Sequence, residues 1–377
     1  MILIDTFIDE MRSIKNSYYK LLLISLFPLL SYFLIISIFY DGVLENMPIV
    51  VVDKEKSQLS RGLIRKIDAT KTLSVAYKLD SLKDASALVQ DAKAYALVII
   101  PKHFTKDTLT HKQPKVTAMV NTQYILVGKI ITSALNSAIA SSAGELEFMN
   151  NLVQYKETHL SKEALSPIKL QITPFFNMYQ NYFLFLVSAL LPSIWQIFIV
   201  IVTIVSFGEL VKSQKDKEYF RKNTFAKIVG KMLPYTLFYM LLGVLSLFYI
   251  YGTLGWVFEG SFAVMIVAIF LTVVAYQGIA LLFLVSGFDY ARSLSLGAVY
   301  TAPAFAFLGV TFPVYNMNDF ALFWRDMLPI SYYMQLQISQ ANYGANPSYE
   351  VNTLFSLLLF WLVFIPVYLR FKQRVSS

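Results

Sequence analysis

The chain has 377 residues, of which 56% are apolar, 15% aromatic and only 15% charged, with a net charge of +8 and no cysteine. Soluble domains carry about 25% charged residues, so a soluble enzyme, a disordered regulator and a disulfide scaffold are excluded for the chain as a whole. The lack of cysteine also excludes Cys-ligated zinc and thiol catalysis.

At the start, Ile4, Phe7, Ile8, Met11 and Ile14 recur at helical spacing, with Asp5, Asp9, Arg12 and Lys15 between them. This predicts an amphipathic helix along the inner leaflet within a cytoplasmic segment 1–20, serving as an anchor, a docking elbow or both. Six spans follow at roughly 21–40, 182–207, 232–252, 262–286, 293–312 and 353–370, each inside a run without Asp, Glu, Lys or Arg except that the last ends on Arg370. Such runs are long enough to cross a hydrocarbon core and must be helical, because backbone amides in lipid have to bond internally. The first is longer than a signal-peptide core, and Tyr40-Asp41-Gly42 does not resemble a cleavage site, so it is expected to be retained.

Between the first two spans, residues 41–175 predict a mixed α/β domain. Met47–Asp53, Thr72–Leu79, Ala94–Ile100 and Lys115–Asn121 read as strands, with helices over Ser57–Ala69 and from Ser81 onward. Tyr124 to about Leu165 reads as one or two long helices, and Ile168–Ile172 as a return strand. His103, His111 and His159 are far apart, with no HExxH or GxSxG pattern, so neither a metal site nor a serine hydrolase is expected.

Lys and Arg set the topology. Arg12, Lys15 and Lys20, the loop from Lys212 to Lys231, Arg292, and the tail with Arg370, Lys372 and Arg374 all fall on one side of a six-span layout. That side is the cytoplasm, with both termini inside and 41–175 facing the periplasm or exterior. The excess of positive charge is therefore topological and does not point to nucleic acid. Residues 176–370 form a five-helix membrane domain and 371–377 a cytoplasmic tail. The fold class is an α-helical membrane protein of six spans with an inserted mixed α/β extracytoplasmic domain.

Chemistry-bearing motifs are few. Gly128-Lys129 and Gly230-Lys231 lack the remainder of a GxxxxGK[ST] phosphate loop, so any ATP must be handled by another subunit. Glu209, Asp289 and Glu259 sit at span edges rather than inside, which disfavours an ion-coupled carrier. Gln196 and Gln277 are expected to bond between helices. The segment Glu209–Lys231 mixes seven basic residues and three acidic ones with Tyr219, Phe220, Phe225 and Ile228, as a partner-docking loop would. Pro303 should kink the fifth span and Pro313 end it. Phe320–Leu328 and Ser331–Gln340, separated by Pro329, suggest a segment that re-enters or lies at the outer interface and caps a cavity.

Several stretches resemble ABC transporter permeases of the type-2 export class: MPIVVVDKEKSQLSR (47–61), AYALVIIPKHFTKDTL (94–109), VGKMLPY (229–235), YTAPAFAFLGVTFPVYNM (300–317) and LPISYYMQLQISQANYGA (328–345). The resemblance runs in family order over almost the whole chain. It implies a permease subunit without its own ATPase site, paired with a second permease copy and with ABC ATPase subunits that bind ATP and Mg. By the same resemblance, the N-terminal helix and Glu209, Lys215, Glu218, Tyr219, Phe220, Arg221 and Phe225 form the ATPase-coupling surface. Phe312, Pro313, Pro329, Tyr332 and Tyr333 form the outer gate. It further implies a bacterial inner-membrane exporter of a hydrophobic or amphiphilic substrate or drug, served by a periplasmic adaptor protein and an outer-membrane channel. The competing expectation is a membrane-anchored receptor or assembly factor whose outer domain binds a partner.

Overall fold

The computed structural model describes residues 2–40, 44–110, 114–123, 125–155, 181–253 and 257–376. The chain divides into two compact units, Asp41–Tyr182 and Met1–Tyr40 with Phe183–Ser377.

The Asp41–Tyr182 unit is built on a four-stranded sheet of β1 (Met47–Asp53), β2 (Leu73–Leu79), β3 (Ala96–Ile100) and β4 (Thr117–Val120), in the order β2-β1-β3-β4. β1 is parallel to both of its neighbours, and β4 is antiparallel to β3. The central strand reads Ile-Val-Val-Val because it is covered on both faces. Ile49 and Val51 pack with Leu63, Ile64 and Ile67 of helix Gln58–Asp68 and with Ile131 and Leu135 of helix Ile125–Tyr155. Val50 and Val52 pack with Ala85 of helix Leu82–Gln90. Full burial of each such side chain contributes about 1.5–3 kcal/mol. Both short helices start at serine caps, with Ser57 and Ser81 accepting from the amides of Ser60 and Asp84. The predicted return strand 168–172, His111 and His159 lie outside the described residues.

Among the described residues the other unit holds five helices long and apolar enough to cross a membrane: Tyr18–Phe39, Phe183–Lys212, Thr224–Thr253, Phe262–Gly287 and Pro347–Ser376. The chain is a multi-pass membrane protein. The 224–253 helix illustrates the packing. Leu237, Leu241, Leu245 and Phe248 form an exposed line at near four-residue spacing, as lipid contact requires, while Tyr235, Tyr239 and Leu242 are buried. Buried polar groups bond between helices. Trp195 Nε1 donates to the Tyr239 carbonyl at 2.9 Å, Gln196 Nε2 to Thr301 O at 3.3 Å, and Gln277 Nε2 to Met232 O at 3.3 Å.

Two elements differ from the sequence reading. The expected span 293–312 is not one helix. A 12-residue helix, Tyr290–Thr301, is followed by a single turn, Ala304–Phe307, and then irregular chain. Pro303 has no amide to continue the ladder, and Gly309 at φ +82° then turns the backbone, its missing Cβ leaving room for Val314. At about 1.5 Å per residue the intact helix rises roughly 18 Å, too little to cross alone. The expected loop 209–231 is mostly helical. Helix Tyr182–Lys212 includes Glu209, a five-residue helix covers Asp216–Phe220, and the next long helix starts at Thr224, just after Asn223 in the left-handed region at φ +53°. Hydropathy truncates both helices because the last turn of the first and the opening turns of the second are charged, but charge does not end a helix that projects beyond the lipid.

Candidate functional site

The four basic segments meet at one end of the bundle. Arg374 Nε pairs with Asp216 at 3.1 Å, and its guanidinium lies 4.9 Å from the centre of the Phe288 ring. Lys212 lies over Tyr290, and Gly208 leaves room for that ring. The tail, the 213–223 turn, the 288–290 corner and the N-terminus are therefore neighbours at this basic end.

The N-terminal helix, Ile2–Asn16, has three faces rather than two. Ile4, Ile8 and Met11 are exposed together, as an interfacial helix requires. Asp5, Asp9 and Arg12 are exposed on a second face. The face against the bundle carries Thr6 and Glu10, both buried. An apolar stripe that is exposed and a polar stripe that is buried reverse the soluble-protein pattern, because here lipid is the outer solvent. Close docking depends on Gly230, where a Cβ would sit 2.8 Å from both the Leu3 carbonyl oxygen and Thr6 Cβ.

Glu10 is the centre of the site. Its carboxylate pairs with Lys231, accepts from Tyr235 Oη at 2.5 Å and Ser206 Oγ at 2.9 Å, and lies 3.5 Å from Lys20 Nζ. Lys20 also pairs with Glu209 at 2.7 Å and donates to Ser13 Oγ at 2.9 Å. Two carboxylates and two ammoniums thus balance in a cluster whose Glu10, Lys20 and Lys231 are buried and whose Glu209 is 44% exposed. Burial raises the Glu10 carboxyl, but Lys231 and Lys20 outweigh it and hold the group below its ordinary 4.5. Tyr219 joins the cluster from the turn. Lys227 Nζ lies 4.9 Å from its ring centre and Lys231 Nζ 5.9 Å from it. Burial first, then Glu10 and Asp9, push the Tyr219 phenol up to about 12.

The predicted coupling residues are spread around this cluster. Glu209 belongs to it through Lys20. Lys215 precedes the five-residue helix Asp216–Phe220 and is exposed, as are Glu218 and Arg221. Phe220 is not a surface anchor but part of the interior, 4.5 Å from Phe371 and stacked on Phe207 at 6.2 Å. Phe225 is exposed beside an apolar groove of about 540 Å³ lined also by Met232, Phe270, Trp361 and Tyr368.

At the far end the predicted gate residues do not converge. Phe312 and Pro313 are exposed on irregular chain. Pro329 starts the helix Pro329–Gln337, where a missing amide costs nothing. Tyr333 is buried 5.7 Å from Trp195, and Tyr332 is half-buried 5.9 Å from Phe360. Gln337 Nε2 donates to the Ser188 carbonyl at 2.9 Å, an oxygen left unpaired in its own helix because Pro192 has no amide. The chain stays at this end through Gln340, whose Oε1 accepts from Ser261 N at 3.0 Å.

Sequence reasoning had not singled out Glu10, Lys231 or the Asp216–Arg374 pair. A signal existed: Thr6, Glu10, Ser13 and Ser17 repeat at three- and four-residue spacing between the apolar and charged faces. A sequence model of the ABC-2 family transporter proteins matches residues 19–369. The chain belongs to that family. No curated protein matches it. The family makes it a transporter membrane component, a permease, and the basic end is where its charged surface turns, helix termini and buried ion cluster coincide.

Proposed function

We propose that this permease is driven from the basic end by separate ATPase subunits and that this end faces the cytoplasm. The single observation that carries the reading is the convergence on Glu10 of the N-terminal helix, the first three spans and the 213–223 turn. The exposed cations Lys215, Lys217, Arg221 and Lys222 and the carboxylate of Glu218 offer a partner a charged rim. A force on that rim reaches Tyr219, then Glu10 and Lys231, and so acts on several spans at once. Rigid ion pairs transmit such a displacement because bistable packed contacts switch rather than stretch.

In this reading the chain crosses the bilayer six times. The segment from Tyr290 to Gln340 leads from the basic end to the far end in broken pieces, and the last span returns. Both termini are then cytoplasmic, which agrees with the Lys and Arg distribution. Two permease copies form the transport unit and export an amphiphilic substrate from the inner membrane of a bacterium.

The test uses exposed rim residues, so that folding is left intact. Glu218→Lys with Arg221→Glu should abolish co-purification of the ABC ATPase subunit that the parent permease retains from its native membranes, and its stimulated ATP hydrolysis, while the permease keeps its own unfolding temperature. Normal assembly and hydrolysis in that variant would remove the turn from the coupling role.

A further inference from the structure

The Asp41–Tyr182 unit contains a cleft of about 570 Å³ at the carboxyl ends of the adjacent parallel strands β1 and β2, lined by Val51, Asp53, Lys56, Arg61, Ile64, Arg65, Lys78, Leu79 and Asp80. That volume suits a small ligand, and strand carboxyl ends are where open α/β sheets hold ligands. The charges in the cleft do not cancel. Asp53 is already occupied, its Oδ1 accepting from the amides of Glu55 and Lys56 at 3.0 and 2.9 Å and its Oδ2 from Ser60 Oγ at 2.7 Å. Asp80 pairs with Lys56 at 2.7 Å. Arg61, Arg65 and Lys78 remain, exposed and with no carboxylate partner among the described residues.

Arg61 and Arg65 are also four residues apart on helix Gln58–Asp68. Like charges at that spacing repel and weaken a helix, and no carboxylate among the described residues pairs with either. Val51, Ile64 and Leu79 give the cleft an apolar floor, where charge-assisted bonds are stronger than in open water.

We propose that this cleft binds a small multivalent anion carrying phosphate groups, with Arg61 and Arg65 gripping it by their planar forks and Lys78 supplying a point charge from the neighbouring strand. Two guanidiniums a helical turn apart can each bond two oxygens of separate phosphoryl groups.

The experiment is calorimetric titration of the full chain in detergent micelles with inorganic pyrophosphate, orthophosphate and hexaglutamate, without divalent metal. Pyrophosphate should bind more tightly than orthophosphate, and its affinity should fall as salt rises. Arg61→Gln with Arg65→Gln should weaken it by about tenfold or more while the unfolding temperature stays unchanged, since both side chains are exposed. Should that variant misfold, Lys78→Gln provides the same comparison. Unchanged affinity in a folded variant, or no pyrophosphate binding at millimolar concentration, would overturn the proposal. So would hexaglutamate binding where pyrophosphate does not, which would mark the cleft as a docking surface for an acidic protein.

Discussion

Replacing Glu10 with glutamine should release the N-terminal helix from the bundle. The cluster holds Glu10 and Glu209 against Lys20 and Lys231, so it is neutral as built. Glutamine leaves Lys20 with Glu209 but strands Lys231, whose side chain is 5% exposed, without a carboxylate. Removing one partner of a buried ion pair costs about 3–5 kcal/mol. Glutamine can still accept from Tyr235 and Ser206, so the lower end, about 3 kcal/mol, applies, equivalent to roughly 100-fold in docking. The chain has no cysteine, so Thr6→Cys introduces a unique thiol at a buried position under the helix. Its labelling by a water-soluble maleimide should quicken by about 100-fold when Glu10→Gln is added, since labelling then samples the undocked helix. The paired change Glu10→Leu with Lys231→Met removes both charges and should return labelling to within about tenfold of the parent, because apolar replacement of a buried pair is often neutral. Equal labelling rates with and without Glu10→Gln would refute the account of how the helix is held.

Acid should act through the same group. A carboxyl held below its free value of 4.5 contributes stability that is complete above about pH 4.5 and lost as pH falls through the lower, folded value; the unfolding temperature should therefore show no Glu10-dependent change from pH 7 to 4.5 and a Glu10-dependent fall below it. Gly230→Val should open the Thr6 site as Glu10→Gln does, at a cost of about 1–3 kcal/mol, since its Cβ would collide with the Leu3 carbonyl and Thr6. Phe220→Ala should cost about 3–5 kcal/mol in thermal unfolding, whereas Phe225→Ala, 66% exposed, should change stability little. Gln337→Leu should destabilise by about 1–3 kcal/mol by stranding the Ser188 carbonyl; Pro192→Ala, which restores a helix amide, should recover part of that loss, as unfolding curves of the single and double variants will show.

Much of the fold was legible in the sequence because its signals are local. A charge-free run of twenty residues signals a helix in lipid whatever it packs against, and it misled only at 293–312, where Pro303 and Gly309 break the run. Met47–Asp53 read as a buried strand, since its consecutive valines are β-branched and satisfy no one-sided pattern. Ser57 and Ser81 marked helix starts because a cap bonds within three residues. The N-terminal helix was legible in part: periodicity marked the apolar positions Ile4, Ile8 and Met11, which are exposed, but not that Thr6 and Glu10 would be buried against the bundle.

The functional end was less legible because its contacts are long-range. Glu10 meets Lys231 and Tyr235 across more than 220 residues of chain, and no spacing rule connects them. Phe220 looked like a surface anchor within a charged stretch, yet Phe207 and Phe371 from two other helices close over it. The same holds for Gln337 and the carbonyl exposed by Pro192: the proline announces an unpaired oxygen in the sequence, but only the packed bundle chooses which side chain reaches it. Composition and periodicity alone determined that this chain lies in a membrane and carries an α/β unit, because burial in lipid and strand pairing select residue types one position at a time. Which charges face one another was decided by the packing of the helices, because an ion pair depends on where two distant segments are brought together.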